Sequence, residues 1–218
     1  MEQFSVAYHE SYVRNWRVLG AIWVLFAMCS ALLQVLVFIH PEWIGGPDGG
    51  YFGLYSYCPN NDCPWRIFNI QALSTSFSVA AILVLISTVL SLLAVFSIML
   101  LVLLRDRYVF LLCSWMHLLS FFGMLGGCLV YPSGWDNTKI REMCDSHRYN
   151  LGLCEIKWAY ALALVLIIDQ MTLSLLGFIL ACKQPPSIPE ISCNYSRFFF
   201  VHTEFISRQL IDNRQKNK

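Results

Sequence analysis

Four long apolar runs alternate with polar segments along the chain. They extend over about Val18 to Ile39, Phe77 to Leu104, Tyr108 to Val130 and Trp158 to Cys182. Each run exceeds the roughly 20 residues that a helix needs to cross the hydrocarbon core of a bilayer. The second run is longer than necessary, so we expect it to tilt or to project beyond the bilayer. The pattern therefore predicts four transmembrane helices.

The composition argues against an ordinary soluble domain. Of the 218 residues, 57% are hydrophobic and 13% are charged, whereas soluble domains carry about 45–50% apolar and about 25% charged residues. One apolar run could be the buried core helix of a soluble protein, but four leave too little polar chain to cover them. Membrane lipid is therefore an expected partner. The net charge is only +1 and the basic residues do not form a stripe, so nucleic acid is not an expected partner.

The basic residues that flank the runs predict the orientation of the chain. Those on one side, which also carries the basic tail, are Arg14, Arg17, Arg105, Arg107 and Lys183. Those on the other side are Arg66, Lys139, Arg141, Arg148 and Lys157. The positive-inside rule then predicts that both termini lie in the cytosol. We expect a multi-pass protein of the plasma membrane. The basic residues of the second external loop reduce the contrast between the two sides.

This orientation divides the chain into three parts. Residues 1–17 form a cytosolic N-terminus, which is too long and too polar for the start of a cleaved signal peptide. Residues 18–182 form the membrane domain, with external loops at 40–76 and 131–157. Residues 183–218 form a cytosolic tail, in which the run Phe198–Phe200 belongs either to a disordered segment or to a short helix at the membrane surface.

The positions of the nine cysteines agree with this topology. Each external loop holds one pair, Cys58 with Cys63 and Cys144 with Cys154. Pairing within each loop is the simplest of the three possible connectivities, and disulfides form in the oxidising external compartment. Four residues separate Cys58 from Cys63, rather than the two of a Cys-x-x-Cys motif, and basic residues do not flank them closely. A thiol-redox enzyme with a Cys-x-x-Cys motif is therefore not indicated.

The sequence shows no catalytic triad, metal-ligand cluster or phosphate-binding loop, so we expect neither an enzyme nor a cofactor. Its unusual intramembrane groups are Asp169 in the fourth run and His117 in the third. A carboxyl group in mid-membrane indicates either a functional site or a hydrogen bond that fixes helix packing. The candidate partners of Asp169 are the Gln34 amide, His117, and Ser or Thr hydroxyls such as those of Ser87 and Thr88.

Small residues recur at four-residue spacing within the runs. Gly123 and Gly127 form a G-x-x-x-G motif in the third run, and the same spacing relates Ala27 to Ala31 and Ala159 to Ala163. Small side chains at this spacing let two helices approach closely. Two interpretations stay open: packing within the bundle, or a dock for the helix of a partner.

The first external loop begins with a Gly-rich aromatic segment. The stretch Tyr51–Tyr57 is rich in strand-forming residues and is bounded by Gly-Gly and Cys-Pro, so it predicts one strand of a small external sheet. Trp43, then Gly53, Leu54 and Tyr55, then the two cysteines resemble the first-loop signature of the claudin superfamily.

Further motifs narrow the resemblance to the lipoma HMGIC fusion partner-like family of tetraspans. They lie at Tyr8–Asn15, Trp43–Gly45, Gly50–Leu54, Cys113–Met116, Gly127–Asp136 and Leu151–Tyr160. The run Tyr-Pro-Ser-Gly-Trp-Asp within them is specific to this family. The resemblance extends from about residue 8 to about residue 182. Tyr55 stands where claudins have Trp, which argues against a true claudin.

The resemblance implies an all-α membrane protein: a claudin-like bundle of four transmembrane helices with a small extracellular antiparallel β-sheet. It also implies a role without catalysis. Family members are auxiliary subunits of a hair-cell mechanotransduction complex, which contains a channel and a cadherin, or of inhibitory neurotransmitter receptors. The alternative is a claudin-like junction protein that self-associates between cells. The chain departs from the family in the short spacing between Cys58 and Cys63, which reduces the external surface.

Overall fold

The computed structural model describes residues 2–59, 74–101 and 107–183. Its long helices are α1 (Glu2–Ile39), α2 (Thr75–Leu101), α3 (Arg107–Val130) and α5 (Trp158–Cys182). A 3₁₀ helix (Tyr131–Asp136) and a short helix α4 (Thr138–Cys144) follow α3. Cys63, the end of the second apolar run at Leu104, and Phe198–Phe200 lie outside the described residues.

Each of the four long helices is apolar and long enough to cross a membrane, which confirms the prediction of a tetraspan bundle. The candidate spans are Ser11–Ile39, Thr75–Met99, Tyr108–Asp136 and Trp158–Cys182. Helix α1 has 38 residues and at 1.5 Å per residue is roughly 57 Å long. Because the hydrocarbon core is about 30 Å thick, the first part of α1 projects beyond it. The polar segment before Val18 is therefore a continuation of the first membrane helix.

Helix α3 lies between α2 and α5, and α1 closes the bundle by packing against α2 and α5. The apolar interior forms two clusters along the bundle axis. The cluster at the outer end includes Trp43, Phe52 and Tyr131. The other cluster, toward the chain termini, includes Trp23 and Phe110.

Glycines on α3 allow its close approach to α2. A Cβ atom on Gly123 would lie 3.1 Å from the carbonyl oxygen of Leu83. A Cβ atom on Gly127 would lie 2.6 Å from Val84 Cγ2. The backbones of the two helices thus approach where a side chain would keep them apart, which is the usual role of small residues in membrane bundles. The structure places this motif inside the bundle.

A small antiparallel sheet of four two-residue strands, which the sequence predicted, lies at the end of the bundle opposite the chain termini. The strands are β1 (Ile44–Gly45), β2 (Tyr51–Phe52), β3 (Tyr57–Cys58) and β4 (Glu155–Ile156). Their order in the sheet is β3-β2-β1-β4, so the second external loop adds its strand to one edge. Ile44 pairs with Phe52 on one side and with Ile156 on the other.

The prediction of a single strand over Tyr51–Tyr57 was wrong. The chain turns back between β2 and β3, and Tyr51 pairs with Cys58. Gly53 donates its backbone N–H to the carbonyl oxygen of Ser56 at 2.9 Å, which closes the turn. A Cβ atom on Gly53 would lie 2.2 Å from the carbonyl oxygen of Pro41, so only glycine fits there. Strand propensity alone did not reveal this turn because Leu54 and Tyr55 resemble strand residues.

We predict that Gly127→Ala destabilises the bundle whereas Gly20→Ala does not. The added methyl group at Gly127 meets Val84, whereas a Cβ atom on Gly20 lies 3.9 Å from its nearest neighbour, Phe110. Overpacking of this kind costs about 1–3 kcal/mol. The difference is measured as the midpoint of thermal unfolding in mild detergent, with size-exclusion chromatography used to monitor the loss of folded protein. Equal midpoints for the two variants would contradict the proposed role of Gly127.

Candidate functional site

The described residues contain no group of three or more His, Cys, Asp or Glu side chains that could hold a metal ion. Two other features collect the residues that the sequence singled out. One is the external cap, which consists of the sheet, the 3₁₀ helix and α4. The other is a seam of polar side chains between the membrane helices. We describe the cap first.

Trp43 joins the cap to the bundle. Its side chain is completely buried, and its indole N–H donates a hydrogen bond to the carbonyl oxygen of Val37 at 3.1 Å. Its ring centroid lies 5.0 Å from that of Tyr131 and 5.6 Å from that of Tyr160. Phe77 of α2 packs edge-on against Tyr131 from the other side, with centroids 5.1 Å apart. Both external loops and two membrane helices therefore meet in one aromatic cluster.

The other signature residues also serve the fold of the cap. Leu54 is buried, and the Tyr55 hydroxyl donates to the carbonyl oxygen of Ile39 at 2.8 Å. The last four carbonyl groups of a helix lack partners within it. Tyr55 and Trp43 supply donors to two of them at the end of α1, and the backbone N–H of His40 bonds to the carbonyl oxygen of Leu36. The signature thus closes the outer end of α1.

A disulfide connects Cys144, the last residue of α4, to Cys154, the residue before β4, with the two Cα atoms 5.1 Å apart. This is the pairing that the sequence predicted for the second loop. Cys58, in β3, is also disulfide-bonded; the partner predicted for it, Cys63, lies outside the described residues. The Cys144–Cys154 bond fixes the chain immediately before the edge strand β4.

The outward surface of the cap is mixed in character. Arg141 and Asp136 form an ion pair at 3.9 Å, with both side chains about half exposed, so it contributes little to stability. Burial, together with the negative charge of Glu142, raises the pKa of Tyr57 above its usual value. The larger feature is apolar: Leu153 is 70% exposed and Ile156 is 52% exposed at the β4 edge.

Within the membrane, the polar side chains of α3 form a seam. Ser114, His117 and Ser120 are completely buried and follow one another at three-residue spacing, so they lie on one face of the helix. Ser114 and His117 contact α5, whereas Ser120 contacts α2 and α1. The Ser174 hydroxyl donates to the carbonyl oxygen of Ser114 at 3.0 Å, and His117 Nδ1 lies 2.8 Å from Gln170 Oε1.

The outer end of the seam reaches the two remaining helices. The hydroxyl oxygens of Ser120 and Ser87 of α2 lie 2.8 Å apart, and the Gln34 amide of α1 donates to Ser120 Oγ at 3.4 Å. Hydrogen bonds therefore connect α3 with each of the other three membrane helices. In a medium without water, such bonds fix the rotation and register of the helices.

Asp169 bonds to a Ser hydroxyl, one of the types of partner that the sequence suggested, but to none of the four residues that were named. Its carboxylate accepts a hydrogen bond from the Ser30 hydroxyl of α1, whereas His117 pairs with the neighbouring Gln170. The sequence reading missed Ser30 and Gln170. The three-residue spacing of Ser114, His117 and Ser120 could have predicted the seam. The sequence could not predict whether Asp169 or Gln170 faces inward, because that depends on the rotation of α5 about its axis.

The comparisons with known proteins agree with this architecture. The model of the family described as lipoma HMGIC fusion partner-like protein matches residues 19–183. The LHFPL tetraspan subfamily member 5 protein of Gallus gallus is 37% identical over 195 residues, which cover 84% of this chain and 88% of the relative. The member 4 protein of Homo sapiens is 36% identical over 203 residues (87% and 82%). The human member 3 protein is 35% identical over 202 residues (87% and 86%).

We predict that Trp43→Ala prevents stable folding and that Trp158→Ala does not. Removing the buried Trp43 ring leaves a cavity in the aromatic cluster and removes the donor to Val37, a change that typically costs about 3–5 kcal/mol. Trp158 is 52% exposed, so the same substitution there removes little packing. Surface delivery and the monodisperse fraction after detergent extraction measure the outcome. Normal delivery of Trp43→Ala would contradict the role of the cluster.

We also predict that His117→Leu alone lowers the stability of the bundle more than the double variant His117→Leu, Gln170→Leu does. The single variant leaves the buried Gln170 amide without its histidine partner, and an unsatisfied buried polar group costs about 1–3 kcal/mol. Replacing both partners by apolar side chains of similar size removes that cost. Thermal unfolding of both single variants and the double variant gives the coupling energy. Simple additivity of the two single effects would show that the pair is not coupled.

Proposed function

This chain belongs to the lipoma HMGIC fusion partner-like family, and we propose that it is a non-enzymatic accessory subunit of a larger membrane complex. It would bind a channel, a receptor or a cadherin-like protein and assist its assembly or its delivery to the plasma membrane. The relatives that match most of the chain carry the name tetraspan. The functional residues that the sequence offered are, in the described part, engaged in packing and helix capping, which favours binding over catalysis.

The observation that carries the proposal is the edge of the external sheet. Strand β4 lies at the end of the strand order and pairs on one side, with β1. Both of its residues, Glu155 and Ile156, are exposed, and the exposed Leu153 precedes them. The disulfide and the aromatic cluster hold this edge rigidly, so a partner would lose little conformational freedom by binding there. An exposed apolar patch on a rigid element is a typical protein interaction surface.

The orientation belongs to the same proposal. Both termini would lie in the cytosol, with residues 1–17 and 183–218 as the cytosolic segments and 18–182 as the membrane domain. The sheet edge would then face the extracellular space close to the outer leaflet. Trp158, the first residue of α5, contacts the His40 ring at the end of α1 with centroids 4.4 Å apart. Trp residues are enriched at this depth, so the edge lies where a neighbouring membrane protein would meet it.

The test is purification of the tagged protein from native membranes in mild detergent, with mass spectrometry of the proteins that accompany it. We expect one membrane protein in stoichiometric amount with the wild type. The double variant Leu153→Ser, Ile156→Ser should reduce its recovery about tenfold, because the loss of a buried apolar anchor costs about 1–2 kcal/mol or more. The control is Tyr149→Ser, an exposed aromatic residue of the same loop outside the sheet.

Two results would contradict the proposal. Equal recovery of the partner with the wild type and the double variant would exclude the sheet edge as the binding surface. Recovery of the protein as a ladder of self-associated species, without a second protein, would exclude the accessory role and favour a claudin-like junction protein. Thermal unfolding of the three proteins verifies that the variants are folded.

A further inference from the structure

Asp169 lies near the middle of the membrane-spanning part of α5, at the lipid-facing surface of the bundle. At 1.5 Å per residue, it is roughly 16 Å from Trp158 and roughly 20 Å from Cys182 along α5. Its side chain is half-buried, unlike the fully buried Gln170 that follows it. The preceding residue, Ile168, is 68% exposed. The carboxylate is therefore at the margin between the α1–α5 contact and the lipid.

The contact between α1 and α5 forms an apolar lipid-facing strip around this carboxylate. The Ser30 hydroxyl of α1 donates to Oδ2 of Asp169, and Ser30 itself is buried. One turn on either side of Ser30, Phe26 and Leu33 are exposed, as is Val165 one turn before Asp169. Asp169 is thus a single acidic group in an apolar surface that extends along two helices.

A carboxylate at this depth is costly unless another group neutralises it. The Ser30 hydroxyl supplies one hydrogen bond, whereas an ionised carboxylate has two oxygens that can accept several. Lipid tails offer neither hydrogen-bond donors nor positive charge. A basic side chain approaching from the lipid side would provide both, at a depth where electrostatic attraction is little screened.

We propose that Asp169 is the docking point for one transmembrane helix of the partner, which carries a Lys or Arg near the middle of its span. This inference rests on the proposed accessory function and assigns its membrane contact. The basic side chain would reach the half-buried Asp169 carboxylate from the lipid side, and the remainder of the partner helix would pack along the strip formed by α1 and α5. The charge pair would fix the depth of the partner helix in the membrane.

A second copy of this chain does not supply the complementary charge. The four apolar runs, 18–39, 77–104, 108–130 and 158–182, contain no Lys or Arg. Arg14 and Arg17 lie four residues and one residue before the first run, so they are at the end of that span and not at its middle. The chemistry of Asp169 therefore favours a different protein as the occupant of this surface.

The test uses a single-span reporter helix of leucines with one Lys at its centre, co-expressed with the full-length protein. A reporter with Leu at the centre and a reporter with the Lys moved to one end are the matched controls. We expect the central-Lys reporter to be captured about tenfold more than either control, as polar pairs between membrane helices allow. Asp169→Asn keeps the shape and the acceptor for Ser30 but removes the charge, and should abolish the difference.

Two further variants separate charge from fold. Thr172→Val changes an exposed polar residue whose hydroxyl bonds to the backbone carbonyl of Asp169, and should leave the capture unchanged. Asp169→Glu retains the charge and should retain the capture. Equal capture of the central-Lys and central-Leu reporters by the wild type would overturn the proposal, and this comparison does not require any variant to fold. Equal capture of the central-Lys reporter by wild type and Asp169→Asn would also overturn it.

The native purification distinguishes this inference from the proposed function. Loss of the partner with Asp169→Asn, but not with Thr172→Val, supports both. Recovery of the partner with wild type and Asp169→Asn alike shows that the accessory role holds and that Asp169 is not the docking point. Absence of a partner with the wild type contradicts the accessory role itself, whatever the reporter helices show.

Discussion

The carboxyl ends of three membrane helices are closed by aromatic side chains from other segments. Trp43 and Tyr55 donate to terminal carbonyl groups of α1, Tyr160 donates to one of α3, and Trp16 and Tyr12 donate to carbonyl groups at the end of α5. Near the hydrocarbon core, little water is present to donate hydrogen bonds to these carbonyl groups. Each cap also ties one chain segment to another, so a single backbone requirement fixes both the loops and the helix ends.

The cap of the bundle follows from these ties. Tyr131 lies at the centre of the aromatic cluster and touches residues of the first loop, α2 and α5. The disulfide between Cys144 and Cys154 then fixes the second loop against the same core. The short strands, with two residues each, would not be stable as an isolated sheet. Their stability comes from this support, which holds the apolar β4 edge proposed as the surface for a partner.

The polar groups of the membrane domain have two different arrangements. Ser114, His117 and Ser120 face inward and bond to the other helices, where they fix helix register. Asp169 belongs to the adjacent face and bonds to Ser30 at the lipid boundary. Polar side chains buried between the helices fix how the helices pack. A polar side chain at the lipid boundary can still form a hydrogen bond or an ion pair with another helix. The docking point proposed for Asp169 depends on this difference.

The sequence by itself determined the four membrane spans, because the length and apolarity of a run report the medium that surrounds it. It also determined the family, through ordered motifs such as that ending at Asp136. It did not determine the turn at Gly53, because its neighbours have the side chains of strand residues. It left open whether Gly127 faces a helix or a partner, and which group bonds to Asp169. Only the tertiary structure decided these points, since the direction in which a side chain faces depends on how each helix is rotated about its axis, and that rotation is set by packing against the other helices.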